Sequence, residues 1–328
     1  SLPVSLTVLI PFRNEEHHLH SLVAALKAQT QQPFGIILVN DHSSDGSVPL
    51  ANSLLTQLTN ARLLQNTGVG KKAAILTGIS EVTTEYVLLS DADCIFTPNW
   101  TATVLSYLAH YRPKLLIAPV TTLEEGSIGG RLQELDFLSL IGMTFGAGRS
   151  PVLCNGANLA VETAVYDRLK PYENNMNIPS GDDIFLLQAV RQQFPEDIAY
   201  CLETDATVYT KVKSDWSGFL EQRMRWGGKA IHYSDYQAIC LAVLVFLVNA
   251  ALFLSLLLTC FGYLDVLSML VLVALKISVD TVLLIKAASF FRKNYLLPLL
   301  LPASVLYIVY VPVVAVAGII MNLINARK

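Results

Sequence analysis

A chain of 328 residues has room for one large or two ordinary domains, and 53% hydrophobic against 15% charged residues is unusual for a soluble protein. The formal net charge is −3, and beyond position 236 the only acids are Asp265 and Asp280, so a mildly acidic polar part precedes an apolar tail. An acidic polar part argues against nucleic acid as a partner. The cysteines Cys94, Cys154, Cys201, Cys240 and Cys260 lack metal-ligand spacing and read as reduced thiols in a cytosol-facing protein.

The chain enters a strand at once, over Ser5–Pro11, which the proline is expected to end. No signal peptide is visible, and a membrane segment upstream of Ser1 stays open. Arg13-Asn14-Glu15-Glu16 leads into a helical pattern with Leu19, Leu22, Val23 and Leu26 on one face. Gly35–Val39 is a second strand running into the polar turn Asn40-Asp41-His42-Ser43-Ser44-Asp45-Gly46. A helix to about Leu58, a strand at Ala61–Leu64 and a helix from Lys71 to Ile79 follow. Strands alternating with helices imply a parallel sheet with right-handed crossovers, hence an α/β fold.

Tyr86–Leu89 is a run of four apolar residues, as in a strand buried on both faces, and it delivers Asp91 and Asp93 to its carboxyl end. In open α/β sheets that end is where ligands bind. Two aspartates one residue apart can hold a hard divalent cation through oxygen, and hydrated Mg2+ or Mn2+ would then take phosphate. The plain alternative is a solvated turn with Asp91 as a helix cap. Just upstream, Gly68-Val69-Gly70-Lys71-Lys72-Ala73 fails as a P-loop, because Gln65 stands where the first glycine belongs and Lys72 replaces the Ser/Thr. As a dinucleotide fingerprint it follows the third strand, not the first, and carries two lysines foreign to that motif. A tight turn whose Lys71 and Lys72 face a pyrophosphate is the better reading, against a solvated helix start.

Leu115–Pro119 is a further strand. Ile128–Ile141 carries Arg131, Glu134 and Asp136 among apolar neighbours, suited to a membrane surface or to packing on the sheet, with packing favoured. Cys154-Asn155-Gly156-Ala157-Asn158-Leu159-Ala160 precedes a helix, and Ser180-Gly181-Asp182-Asp183 opens another over Ile184–Phe194. Acids in a first turn serve as caps and dipole partners as readily as catalytic groups, and Ser180 or Asp182 is the better placed cap. Asp205–Thr210 reads as strand. Ser214 or Asp215 caps a helix reaching about Ala230, on which Gln222, Arg225 and Trp226 share a face at i, i+3 and i+4. A planar donor fork beside an indole suits a phosphate or a sugar, and a surface arginine with a half-buried tryptophan is the alternative.

The tail has the length and composition of membrane spans. Ala238–Tyr263 is uncharged over more than the ~20 residues needed. Val266–Ile285 contains Lys276 and Asp280, able to neutralise one another at i, i+4. Tyr295–Ile324 carries Pro298, Pro302 and Pro312 and begins as an interfacial piece. The connection Lys286–Asn294 holds three positive charges where Gly262–Asp265 holds none, so the positive-inside rule puts it, with the polar part, in the cytoplasm. The expected division is a catalytic domain over 1–235 and a membrane domain of about three helices over 236–328.

Five motifs in order, Pro11-Phe12-Arg13-Asn14-Glu15-Glu16, Val39 through Gly46, Asp91-Ala92-Asp93, Gly181-Asp182-Asp183 and Gln222-Arg223-Met224-Arg225-Trp226, cover most of residues 5–230. With them the chain resembles the family-2 glycosyltransferases of GT-A fold, in their membrane-attached bacterial branch. The resemblance implies a Rossmann-like, mixed and mostly parallel sheet with flanking helices, followed by transmembrane helices. It implies inverting transfer of a sugar from a nucleotide-diphosphate sugar, with Mg2+ or Mn2+, to a lipid-linked or other membrane-associated glycan acceptor. Pro11, Arg13, Glu15 and Asp41 would hold base and ribose; Asp91 and Asp93, metal and diphosphate. Asp182 and Asp183 would supply the base, with Asp183 preferred, and Gln222, Arg223, Arg225 and Trp226 would close over donor and acceptor. Lys71 or Lys72 would stabilise the departing diphosphate. Asn40-Asp41 stands where two acids are common, leaving the nucleobase open, and Gly-Asp-Asp replaces the more usual Glu-Asp. The resemblance also implies an inner-membrane, multi-pass protein in contact with lipid. Two other readings remain: a processive polysaccharide synthase, and a membrane-anchored nucleotide-binding subunit without catalysis.

Overall fold

The structure is a computed structural model that describes residues 4–33, 35–146, 151–178, 180–228 and 232–325. The chain forms two compact units, Ser1–Thr122 with Arg149–Lys211, and Leu123–Gly148 with Val212–Lys328.

The first unit is built on a seven-stranded sheet. Its strands are β1 (Leu6–Phe12), β2 (Gly35–Asn40), β3 (Ala61–Gln65), β4 (Tyr86–Leu89), β6 (Leu115–Ile117), β8 (Leu159–Glu162) and β9 (Ile198–Tyr200), in the order β3-β2-β1-β4-β8-β6-β9. A small second sheet has the order β5-β10-β7, from β5 (Ile95–Phe96), β7 (Val120–Thr122) and β10 (Val208–Thr210). The helices of this unit are α1 (Glu16–Lys27), α2 (Ser47–Leu55), α3 (Lys71–Ile79), α4 (Trp100–Tyr111), α6 (Ala164–Leu169) and α7 (Asp182–Gln193). β1 through β4 are parallel, as the alternation of strand and helix predicts. β8 runs antiparallel to both β4 and β6, which makes the sheet mixed.

Proline does not end the first strand. β1 continues through Pro11 to Phe12, paired with Val39 and Asn40. Ser90 donates to the Leu9 carbonyl, so odd-numbered residues of β1 face β4, and that pairing stops at Leu9. The missing N–H of Pro11 therefore falls where no ladder partner exists. The segment expected as strand from Asp205 opens instead with a 3-10 turn, Thr204–Ala206.

Leu19, Leu22, Val23 and Leu26 are buried, as the helical spacing of α1 predicts. α3 and α7 pack into one core with Leu9, Ile37, Val39, Val87 and Leu89, through Ala74, Ile75 and Ile79 and through Phe185, Leu186 and Val190. Each large aliphatic side chain fully buried there contributes about 1.5–3 kcal/mol. Gly78 sets the approach of α3: a Cβ there would lie 2.2 Å from Cδ1 of Leu9.

The second unit holds α5 (Ile128–Gly146), α8 (Trp216–Gly227), α9 (Tyr236–Cys260), α10 (Val266–Phe290) and α11 (Leu300–Asn325), the last preceded by a 3-10 segment, Asn294–Leu299. The stretches Tyr236–Cys260, Val266–Phe290 and Asn294–Met321 are long and apolar enough to cross a membrane. α5 packs on the apolar helices of its own unit. Its Leu135 and Leu138 share a core with Leu284, Ala287 and Ala288 of α10 and Ala303 of α11. Asp215 caps α8 by accepting from the Gly218 N–H at 2.7 Å, one of the two caps expected; its predicted end near Ala230 lies outside the described residues. Lys276 and Asp280 form the expected pair on α10.

Candidate active site

The strand order places a topological switch point between β1 and β4, where successive crossovers depart in opposite directions. Such a point opens a crevice at the carboxyl ends of the strands. Arg13 and Glu15 follow β1, Asp41 follows β2, and Asp91 and Asp93 follow β4, so these sequence-predicted residues share one edge of the sheet.

Lys71 stands at the centre of the cluster. Its Nζ lies 2.6 Å from Oδ1 of Asp91 and 3.0 Å from Oδ2 of Asp182, although the two acids are 91 residues apart in sequence. Lys71 and Asp91 are each about a third exposed and Asp182 is nearly buried. Burial would lower the Lys71 ammonium, but Asp182 and Asp91 outweigh it and hold the group well above the usual lysine range. Burial raises the Asp91 carboxyl; Lys71 opposes the rise, while Asp182 and Asp93 add to it. The site thus holds more negative charge than Lys71 neutralises.

A glycine of positive φ introduces each of the two helices that deliver these groups, Gly70 at φ 90° before α3 and Gly181 at φ 91° before α7. A side chain at either would be strained. α7 therefore begins at Asp182 rather than Ile184, with Gly181 at the cap position and no side-chain cap, so neither Ser180 nor Asp182 caps it. The carboxylate of Asp183 accepts from the backbone N–H of Ile184 at 2.8 Å and of Gly156 at 3.4 Å. Gly156 is a site residue that the sequence reading passed over. A Cβ there would come within 2.8 Å of Oδ2 of Asp182 and 3.6 Å of Nζ of Lys71. Asn158, in the same segment and fully buried, also went unassigned: it accepts from the Trp100 indole and donates to the Pro119 and Ala206 carbonyls, tying the start of α4 to the segments before β7 and β10.

Several expected ligands serve the chain itself. Asp41 is buried, and its carboxylate accepts from the Gly70 N–H at 3.0 and 3.1 Å and from the Asn66 amide at 2.6 Å, so it anchors the turn that launches Lys71. Lys72 does not face a pyrophosphate. It is buried, with Nζ donating to the carbonyls of Asn175 and Ile178 at 2.5 and 2.7 Å and lying over the Phe185 ring. Successive residues on a helix point about 100° apart, so one of two adjacent lysines turns into the core as the other reaches the cleft. Pro11 is buried within β1, whereas Arg13 is exposed. The Asn14-Glu15-Glu16 and Ser43-to-Ser47 segments are laced together by Asn14 N–H to Ser43, Ser44 N–H to Asn14 and Gly46 N–H to Glu16. Glu15 accepts from or shares a proton with His18 at 2.6 Å. Burial raises its carboxyl, His18 opposes, and Asp93 and Asp91 add to the rise.

The ligand atoms of Asp91, Asp93 and Cys94 lie within 4.8 Å of one another. Burial first, then Asp91 and Asp93, push the Cys94 thiol well above its ordinary range. That leaves carboxylate oxygens as the available donors, a set that fits Mg2+ or Mn2+ rather than a thiolate-seeking metal.

On α8 the guanidinium beside the indole belongs to Arg223, not Arg225. Arg223 is buried with its carbon 4.3 Å from the Trp226 ring centroid, while Arg225 is exposed and Gln222 and Trp226 are half-buried.

Residues 7–149, somewhat less than half of the chain, match the family described as Glycosyl transferase family 2. Among curated proteins, a glycosyltransferase of Escherichia coli K12, YibD, is 32% identical over 101 residues, 31% of this chain and 29% of its own length. The undecaprenyl-phosphate 4-deoxy-4-formamido-L-arabinose transferase of Serratia proteamaculans is 35% identical over 92 residues, 26% of this chain and 28% of its own. The matches thus span less than a third of these relatives. Of solved structures, a mannosyltransferase of Pyrobaculum calidifontis in complex with GDP-Man and Mn2+ superposes with a TM-score of 0.58 at 15% identity, covering 96% of this chain and 88% of that one. A likeness at that identity shows the fold, which is the GT-A arrangement expected above.

Proposed function

We propose that the chain is an inverting glycosyltransferase that moves a sugar from a nucleotide-diphosphate donor to a lipid-linked or membrane-associated acceptor. The observation that carries this reading is the meeting of Asp91 and Asp182 on the ammonium of Lys71 at the switch point of the sheet, with Asp93 beside Asp91 and Asp183 next to Asp182. The segment that matches the family contains three of these groups, and one relative's name specifies sugar transfer involving undecaprenyl phosphate.

Asp91 and Asp93 would hold a divalent cation, which supplies positive charge for the diphosphate of the donor. Lys71 adds a mobile charge: leaving Asp91 for the phosphate, it stabilises the negative charge that grows as the anomeric C–O bond breaks. Asp183 is the base. Its carboxylate is oriented by two backbone N–H groups, whereas Asp182 is engaged by Lys71. As the acceptor oxygen bonds to the anomeric carbon from the face opposite the diphosphate, its proton passes to Asp183 and the bond's electron pair leaves with the nucleotide. One displacement inverts the centre and needs no nucleophile from the enzyme.

We assign residues 1–235 to a catalytic part on the cytoplasmic side of the inner membrane and 236–328 to the membrane. Lys286, exposed near the end of α10, and Arg292, exposed in the connection to α11, support that orientation. On α8, Gln222, Arg225 and Trp226 are the groups proposed for substrate recognition.

The test is thermal stabilisation and donor turnover with UDP-Glc, UDP-GlcNAc and GDP-Man, with Mn2+ and with chelator. One donor at a hundred times its Kd should stabilise by about 2.7 kcal/mol only when metal is present. Asp93→Ala should fold and lose that effect. An Asp93→Ala protein that still binds donor in a metal-dependent way overturns the assignment.

A further inference from the structure

We propose that Asp136 and Tyr310 are positioning residues for α8: acting through Arg223, they fix the orientation in which Gln222 and Trp226 meet substrate. The proposal rests on the transferase reading for what α8 does, and on the geometry of the second unit for how it is held.

Arg223 makes three kinds of contact at once. Nε and Nη2 both donate to Oδ2 of Asp136 at 2.5 Å. Nη1 donates to Oε1 of Gln222 at 3.2 Å. The flat face of the guanidinium lies 4.3 Å from the Trp226 ring centroid and 4.8 Å from that of Phe219. The remaining oxygen of Asp136 accepts from the Tyr310 hydroxyl. Asp136 is 5% exposed and Arg223 7%, so the ion pair is shut away from water while Gln222 and Trp226 are half-buried. One arginine therefore sets both the rotamer of Gln222 and the plane of Trp226, and one carboxylate sets the arginine. Arg225, exposed on the same helix, stands outside this scaffold.

The backbone of α8 is held as closely as its side chains. A Cβ on Gly318 of α11 would lie 2.4 Å from the Met224 carbonyl, and one on Gly227 would lie 3.7 Å from Cα of Ala315. α11 also carries Tyr310, whose ring is 6.0 Å from that of Phe219. A buried ion pair is poor value as a stabiliser, since well-packed apolar residues of similar volume commonly do as well or better. What apolar residues cannot reproduce is a directional fork that aims an amide and an indole. Positioning predicts a split between stability and turnover; a purely structural pair predicts that they move together.

The experiment uses the full chain in detergent, with whichever of UDP-Glc, UDP-GlcNAc and GDP-Man the wild type turns over. The double variant Asp136→Leu/Arg223→Met should keep or raise the melting temperature while kcat falls about a hundredfold, with donor KM nearly unchanged. A double variant with near-normal kcat overturns the proposal. Should it fail to fold, Tyr310→Phe and Asp136→Asn are read by Trp226 fluorescence, taken as the difference from the same proteins carrying Trp226→Phe. Both should alter the emission and acrylamide quenching of Trp226, and Asp136→Glu should restore them in part; unchanged Trp226 emission overturns the proposal. The fluorescence arm needs no donor, so a wild type inert towards all three donors sinks the transferase reading while Trp226 still reports whether Asp136 orients it.

Discussion

The two units use the same chemistry, carboxylate against cation, in opposite ways. In the second, Asp136 and Glu134 are buried and saturated: Asp136 by Arg223 and Tyr310, Glu134 by Lys293, Tyr295 and the Glu125 N–H. Removing one partner there strands a buried charge, at about 3–5 kcal/mol. In the first, Lys71 divides itself between Asp91 and Asp182 at a third of full exposure, and among the described residues neither Asp93 nor Asp183 forms an ion pair with a cation of its own. The Lys71–Asp91 pair, open to water from both sides, holds about 0–1 kcal/mol. A saturated pair is architecture, whereas an under-neutralised cluster is ready to take charge from outside. That contrast separates the saturated pairs of α5 from the carboxyl edge of β4, the place proposed above for cation and phosphate.

The largest expected effect breaks the contrast inside the first unit itself. Asp183→Asn keeps shape and removes proton acceptance, so transfer should fall about 10²–10⁴-fold while donor-induced stabilisation survives. Asp182→Asn, which removes a partner of Lys71 and leaves the proposed base in place, should cost markedly less; the reverse order would reassign the base. Next comes Lys71→Gln, expected to lower turnover by about 10²–10³-fold. In the same variant, Mn2+ binding without donor, read by electron paramagnetic resonance, should tighten, because the ammonium no longer competes for Asp91. Weaker Mn2+ binding would mean that Lys71 organises the site rather than occupying it.

What could be read in advance followed from chemistry local in sequence. The run Tyr86–Leu89 announced a buried strand, and Asp91 and Asp93 lie one residue apart, so both strand and ligands were visible before any contact was known. Lys71 was legible as one of two candidates, but the choice between it and Lys72 depends on which helical face meets the core, a tertiary fact. Asp41 illustrates the converse: an acid after a strand looks the same whether it binds ribose or the N–H of Gly70. Gly156 and Asn158 left only a glycine and an amide as signal, since their work is done by a missing Cβ and by hydrogen bonds to Trp100, Pro119 and Ala206. The role of α5 was hidden because its acids answer to Arg223 and Lys293, 87 and 159 residues further along.

The smallest expected effect concerns Glu15, and it sharpens the contrast through pH. Its carboxyl is raised by burial first, with Asp93 and Asp91 adding to the rise against the pull of His18. The folded chain then holds this proton more tightly than the unfolded chain, so Glu15 contributes stability fully only below its unfolded value near 4.5. As pH rises through the folded value that contribution disappears, and at neutral pH the ionised group sits among like charges. Relative to Glu15→Gln, the wild type should therefore gain in melting temperature as pH falls from 7 towards 5. The shift should be a few degrees at most, and Mn2+ should shrink it, because a cation between Asp91 and Asp93 cancels part of the repulsion that raises Glu15. A difference between the two proteins that does not respond to Mn2+ would mean that burial alone perturbs Glu15, and that the charge left over at this edge of the sheet does not reach the loop after β1.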